Sequence, residues 1–239
     1  MNPEFPLTPN LIFFGTIAFI FFAVIIGVKS SLKAAHSINQ SGATQTVAFL
    51  LTAVLIALAF LAKQGFFFKG IDRMPPRLML VFVVMFALII ALLFIKRVGE
   101  ILDYVPPSWL IYPQVFRVAI EIVLWQLYGH GFTPEQMTFE GLNFDILAGA
   151  TAPIAAFVCF GQGRNLRILA IIWNILGLAL LINIITIAIM SVPAVGYFDQ
   201  PNTFVAWFPY IWLPGIAVPF AMLLHALSLR QLIRAGRKA

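Results

Sequence analysis

The chain has 239 residues, of which 62% are hydrophobic and 10% charged, with a formal net charge of +6. Soluble globular proteins carry about 25% charged residues, so a water-solvated fold cannot hide this apolar surface and lipid must be the solvent for most of it. The basic residues fall between apolar runs and at the C-terminal end rather than on a polar stripe, which argues against nucleic-acid binding. The single cysteine, Cys159, excludes an intrachain disulfide framework and a Cys-rich metal site.

The expected fold class is all-α: a polytopic transmembrane helix bundle of seven spans forming one domain over 1–239. A helix crosses the hydrocarbon in about 20 apolar residues, and the runs are continuous rather than alternating with period two, which disfavours strand spans. The first span is 11–28. Its leader, MNPEFPLTPN, has no basic n-region, so a cleaved signal peptide is not expected. The second and third spans are 44–62 and 78–95, and the loop between them carries Lys63, Lys69, Arg73 and Arg77.

The fourth span, 107–128, carries the most chemistry. At about 100° per residue, Gln114, Arg117, Glu121, Trp125 and Tyr128 fall within roughly 80° of one another. Arg117 and Glu121 are the only charges well inside any span. A lone charge at the bilayer centre costs at least about 2.5–3.5 kcal/mol, so this face must turn toward other helices or a wet cavity. One reading is an i,i+4 ion pair that holds the bundle together. The order Arg before Glu is the weaker one for such a pair, and a buried pair often fails to recover its desolvation cost. The other reading is a substrate site. There Arg117 holds an anionic or carbonyl group, Glu121 carries a proton, Gln114 and Tyr128 add hydrogen bonds and Trp125 forms a flat wall.

In the loop that follows, Thr133-Pro134-Glu135-Gln136 reads as an N-cap, a proline at N1 and a capping-box partner. Gly141 would stop that short surface helix after about two turns. The fifth span, 144–160, opens on Asp145, an N-cap candidate that becomes a partner for Arg117 if it turns inward; Ala148, Ala152 and Ala156 make a packing stripe. The sixth, 168–190, carries Asn174 and Asn183 on opposite sides, each either interhelical glue or part of the Arg117 site. The seventh, 204–229, carries Pro209, Pro214 and Pro219, each removing a backbone donor. His225 near its inner end is read as a packing or headgroup-level histidine. There is no HExxH, P-loop or G-x-S-x-G, and no lysine on the seventh span for a Schiff base, so no metal or cofactor is expected.

Lys29, Lys33, Lys96, Arg97, Arg164, Arg167, Arg230, Arg234, Arg237 and Lys238 fall on one side of the membrane. The excess of Lys and Arg makes that side cytoplasmic, with the N-terminus outside and the C-terminus inside. The stretches MTFEGLNFDILAGATAP (137–153), IIWNILGLALLIN (171–183) and PNTFVAWFPYIWLPG (201–215) resemble a group of uncharacterised bacterial multi-span membrane proteins. That resemblance implies a multi-pass protein of the bacterial plasma (inner) membrane and carries no activity. Three readings of function stay open. The first is a small-molecule or ion transporter or binding protein, its partner a small anionic or amphiphilic solute besides the lipid bilayer. The second is a non-catalytic scaffold or sensory module. The third, an intramembrane lipid-modifying enzyme using Glu121 or Asp145 as acid or base, ranks last.

Overall fold

The computed structural model describes residues 3–37 and 39–238, and among them the chain is helical with no strand. Met1 and Asn2 of the leader, and the side chains of Arg237 and Lys238, lie outside the described residues. Eight α-helices follow in order: α1 Leu7–Ala34, α2 Gln40–Lys63, α3 Leu78–Phe94, α4 Lys96–Leu102, α5 Phe116–Gly129, α6 Ile146–Phe160, α7 Arg167–Met190 and α8 Val218–Lys238.

Proline and local capping set most of the boundaries. Pro6 immediately precedes α1, and Asn39 caps α2 by accepting from the Gly42 amide at 3.1 Å. Pro106-Pro107 and Pro113 each lack an amide donor. The run ahead of α5 therefore winds as two 3-10 turns, Pro107–Leu110 and Tyr112–Val115, before an α ladder begins at Phe116. At the end of the chain Pro209 and Pro214 act in the same way. The expected helix from 204 does not form there; a 3-10 turn at Phe204–Ala206 and a π turn at Leu213–Ala217 come first, and α8 then runs on past 229. The expected two-turn surface helix after Thr133 is also corrected. A single 3-10 turn, Glu135–Met137, follows an extended Pro134, and the Thr133 hydroxyl is buried without a partner instead of capping.

Among the described residues six helical segments are long and apolar enough to cross a bilayer: Leu7–Ala34, Gln40–Lys63, Pro107–Gly129, Ile146–Gly163, Arg167–Met190 and Leu213–Gly236. A seventh is added only if α3 and α4, bent by 71° at Ile95, count as one span. The carbonyls at the bend and at the end of α4 take side-chain donors from α8 besides the backbone amides they have. Arg230 of α8 donates to Ile95 O at 3.0 Å, and Gln231 donates to Leu102 O at 2.6 Å and Val105 O at 2.5 Å.

α1 packs on α2 and α5, α5 on α6, α6 on α7, and α7 on α8, while α8 also bears α3, α4 and the Pro107–Leu110 turn. α2 sits at the periphery with Phe49, Leu50, Ile56 and Phe60 exposed, an arrangement suited to an apolar solvent. The buried Ala148, Ala152 and Ala156 let α6 approach its neighbours closely. At Gly149 a Cβ would lie 2.8 Å from the Val118 amide of α5, so the two helices meet there backbone to backbone. This contact brings the Arg117 side chain of α5 within reach of the first residue before α6.

Candidate functional site

Arg117, Glu121 and Gln114 are almost fully buried, at 2%, 1% and 0% exposure. The i,i+4 ion pair expected between Arg117 and Glu121 is not the one formed. Arg117 reaches across the Gly149 contact to Asp145, where Nε donates to Oδ2 at 2.6 Å and Nη2 pairs with Oδ1. Asp145 occupies the N-cap position of α6, yet its carboxylate makes no capping bond. Glu121 instead accepts from Asn143 Nδ2 at 2.7 Å, and the same amide donates to Met137 O at 3.0 Å. Asn143 Oδ1 in turn accepts from the Asp145 amide at 3.0 Å. The loop before α6 has thus taken both charges of α5 as partners.

On its other side the Arg117 guanidinium donates to Gly177 O of α7 at 3.2 Å and to His225 Nε2 of α8 at 2.9 Å. Arginine has no acceptor, so Nε2 accepts and the ring proton sits on Nδ1, which donates to Asn174 Oδ1 at 3.0 Å. Asn174 fits that role, because its Nδ2 donates to Ala170 O at 2.8 Å and Ser228 Oγ at 3.0 Å. Gly177 makes room for the imidazole: a Cβ there would lie 2.6 Å from His225 Cε1. One hydrogen-bonded chain therefore runs from Ser228 through Asn174, His225, Arg117, Asp145 and Asn143 to Glu121, tying α5, α6, α7 and α8 together.

The two ends of this chain differ. The His225–Asn174–Ser228 end is closed, with all three residues at 0% exposure. Arg117, Glu121 and Asp145 border a cavity between α3, α5, α7 and α8 whose walls are otherwise apolar but for Asn202, with Phe82, Leu124 and Ile185 among them. The cavity holds about 60 Å³, several times the roughly 10–15 Å³ that one water needs by the same measure. Four of the five Arg117 donors are used within the protein. Glu121 accepts one hydrogen bond where a carboxylate offers about four sites. Asn202, also on the cavity wall and 1% exposed, has an Oδ1 with no partner, while its Nδ2 donates to Ala188 O at 3.3 Å. Gly177 and Ala188 are contacted by Arg117 and Asn202 respectively. Eleven residues of α7 separate them, which places the polar points roughly 16 Å apart at 1.5 Å per residue. The open polar capacity of the cavity is mostly that of an acceptor.

The remaining residues singled out from sequence lie elsewhere. Trp125 is 42% exposed and donates through Nε1 to Glu140 at 2.9 Å. Tyr128 is half-buried a turn further on, past the buried face of α5. Both drift off that face because it centres on Ile120 and Leu124 rather than on the line from Gln114 to Tyr128. Gln114 donates to Ala221 O of α8 at 3.0 Å, a helix-to-helix tie, and Asn183 donates to Leu142 O at 2.9 Å, anchoring the loop before α6. His225, Asn143, Ser228 and Gly177 were missed as members of the cluster. His225, Ser228 and Gln231 recur every three residues on one face of α8, the signal that could have found the first and third.

Residues 75–233, more than half of the chain, match the family described as Domain of unknown function (DUF8737). The chain belongs to the DUF8737 family. The DUF8737 match runs from the turn before α3 into α8 and leaves out α1 and α2. Every member of the buried chain, and every wall of the cavity beside it, falls within the DUF8737 portion. No curated protein and no solved structure matches the chain.

Proposed function

We propose that this is a seven-span protein of the bacterial plasma membrane, N-terminus outside and C-terminus cytoplasmic, that binds and moves an amphiphile through the cavity beside Glu121. The amphiphile has an apolar body and a head that donates hydrogen bonds, an amine or a hydroxyl. The observation that carries this reading is the pairing of an apolar cavity with a buried carboxylate whose acceptor sites are largely free. The expected role of Arg117 in holding an anion loses support, because Asp145 already neutralises it. Counting the α3–α4 pair as one span supports seven crossings. The gathering of Arg97, Arg167, Arg230 and Arg234 near one end supports the orientation.

The test compares dodecylamine, dodecan-1-ol and dodecanoate on the purified protein in lipid nanodiscs, read as thermal stabilisation. A ligand at about 100 times its Kd stabilises by about 2.7 kcal/mol. The amine and alcohol should stabilise the wild type, and Glu121→Gln should lose the response to the amine. A response to dodecanoate alone would reverse the assigned polarity, and no response to any of the three would remove the binding role.

A second reading, a scaffold in which the polar chain only locks helices together, is favoured by the closed His225–Asn174–Ser228 end. It predicts that wild type and Glu121→Gln show the same indifference to all three amphiphiles.

A further inference from the structure

Four connecting segments meet at the end of the bundle where α1 begins. They enclose a second, separate hollow of about 470 Å³ lined by Phe5, Phe68, Phe132, Phe204, Trp207 and Lys69, among others. The rings come from four distant parts of the chain: the segment before α1, the α2–α3 loop, the α5–α6 loop and the α7–α8 connection. They are held in pairs, Phe68 with Trp207 at 4.7 Å between centroids and Phe5 with Phe132 at 4.9 Å. Phe204 is buried at 1% exposure, and Phe5 is fixed further by an edge contact with Tyr210, whose hydroxyl donates to Asn10 at 2.8 Å.

The basic α2–α3 loop supplies the charge. Two cations flanking it are stacked on rings within the protein, Lys63 at the end of α2 over Phe208 at 4.7 Å and Arg77 just before α3 over Phe66 at 4.9 Å. Lys69 lines the hollow, which has no carboxylate in its wall, and among the described residues Lys69 makes no ion pair. An aromatic-walled space with one unneutralised cation favours a flat ring system, which stacks or meets the walls edge to face, bearing one negative charge. We propose that this hollow is a binding site for an aromatic anion such as an aryl carboxylate or aryl sulfonate. It shares no lining residue with the Glu121 cavity and does not depend on that reading.

Naphthalene-2-sulfonate titrated calorimetrically into the nanodisc-held protein, with empty nanodiscs as blank, tests the site. One saturable event is expected at low salt. Lys69→Gln should weaken it by about two- to fivefold, the scale of one exposed ion pair, and leave binding of the neutral naphthalene-2-methanol unchanged. Phe68→Ala, at a ring already 39% exposed, should weaken both compounds, and Glu121→Gln neither. Heat indistinguishable from the blank would overturn the proposal, as would wild-type affinity for the sulfonate in both Lys69→Gln and Phe68→Ala.

Discussion

Arg117→Met should be far more damaging alone than together with Asp145→Asn. Asp145 is 5% exposed, and the guanidinium supplies its charge partner. Removing one member of a buried pair costs about 3–5 kcal/mol because the other charge stays buried without compensation. The same substitution leaves His225 Nε2 without its donor, about 1–3 kcal/mol for a buried group. In the double variant the orphan charge is gone and mainly the His225 cost remains, so adding Asp145→Asn to Arg117→Met should restore about 3–5 kcal/mol. For a chain of this size about 1 kcal/mol corresponds to roughly 2–4 °C in Tm, so the double variant should melt several degrees above Arg117→Met. Cys159 provides the readout. It is the sole cysteine and is 0% exposed, packed with Ile111, Ala156 and Ala170, so a fluorogenic maleimide reports unfolding at that residue without added labels. If the costs of Arg117→Met and Asp145→Asn simply add, the pair is not the energetic unit described above. Pairing Arg117→Met with Glu121→Leu should give no such recovery, since Asp145 would remain orphaned.

Gly177→Ala should lower stability by about 1–3 kcal/mol, the usual cost of overpacking, because its methyl would press on His225 Cε1; the Cys159 melt measures it, and an unchanged melt would mean the imidazole has room to move. Asn202→Leu should lower the stability of the unliganded protein by about 1–3 kcal/mol, since it takes the donor from Ala188 O along with an acceptor that already lacks a partner. Its response to dodecan-1-ol should fall, and an undiminished response would exclude Asn202 Oδ1 from the site. A fluorescent protein fused at the C-terminus should mature and fluoresce in bacteria, as a cytoplasmic tag does, while a tag accessible only from outside would invert the proposed topology.

The helical class was legible because apolar runs of span length admit few other solutions, and the buried depth of Arg117 and Glu121 followed from the cost of exposing charge to lipid. The partner of Arg117 was not legible in the same way. Neighbours along one helix can be computed from 3.6 residues per turn, whereas Asp145 reaches Arg117 only because Gly149 lets α5 and α6 close to backbone contact. His225 was read as a packing residue for a similar reason. Nothing in the sequence near it announces that Asn174, fifty-one positions earlier, holds its Nδ1 proton. Proline signals were present but underweighted. All three prolines were placed in one span from 204, yet Pro209 and Pro214 come before α8 while Pro219 sits inside its first turn.

Arg230 ties the broken α3–α4 joint, and Gln231 the far end of α4, to the same turn of α8. α3 contributes Met79 and Phe82 to the cavity wall, and its far end is fastened to the last turns of the chain. A substitution at Arg230 therefore acts on one end of a helix whose other end borders the cavity beside Glu121.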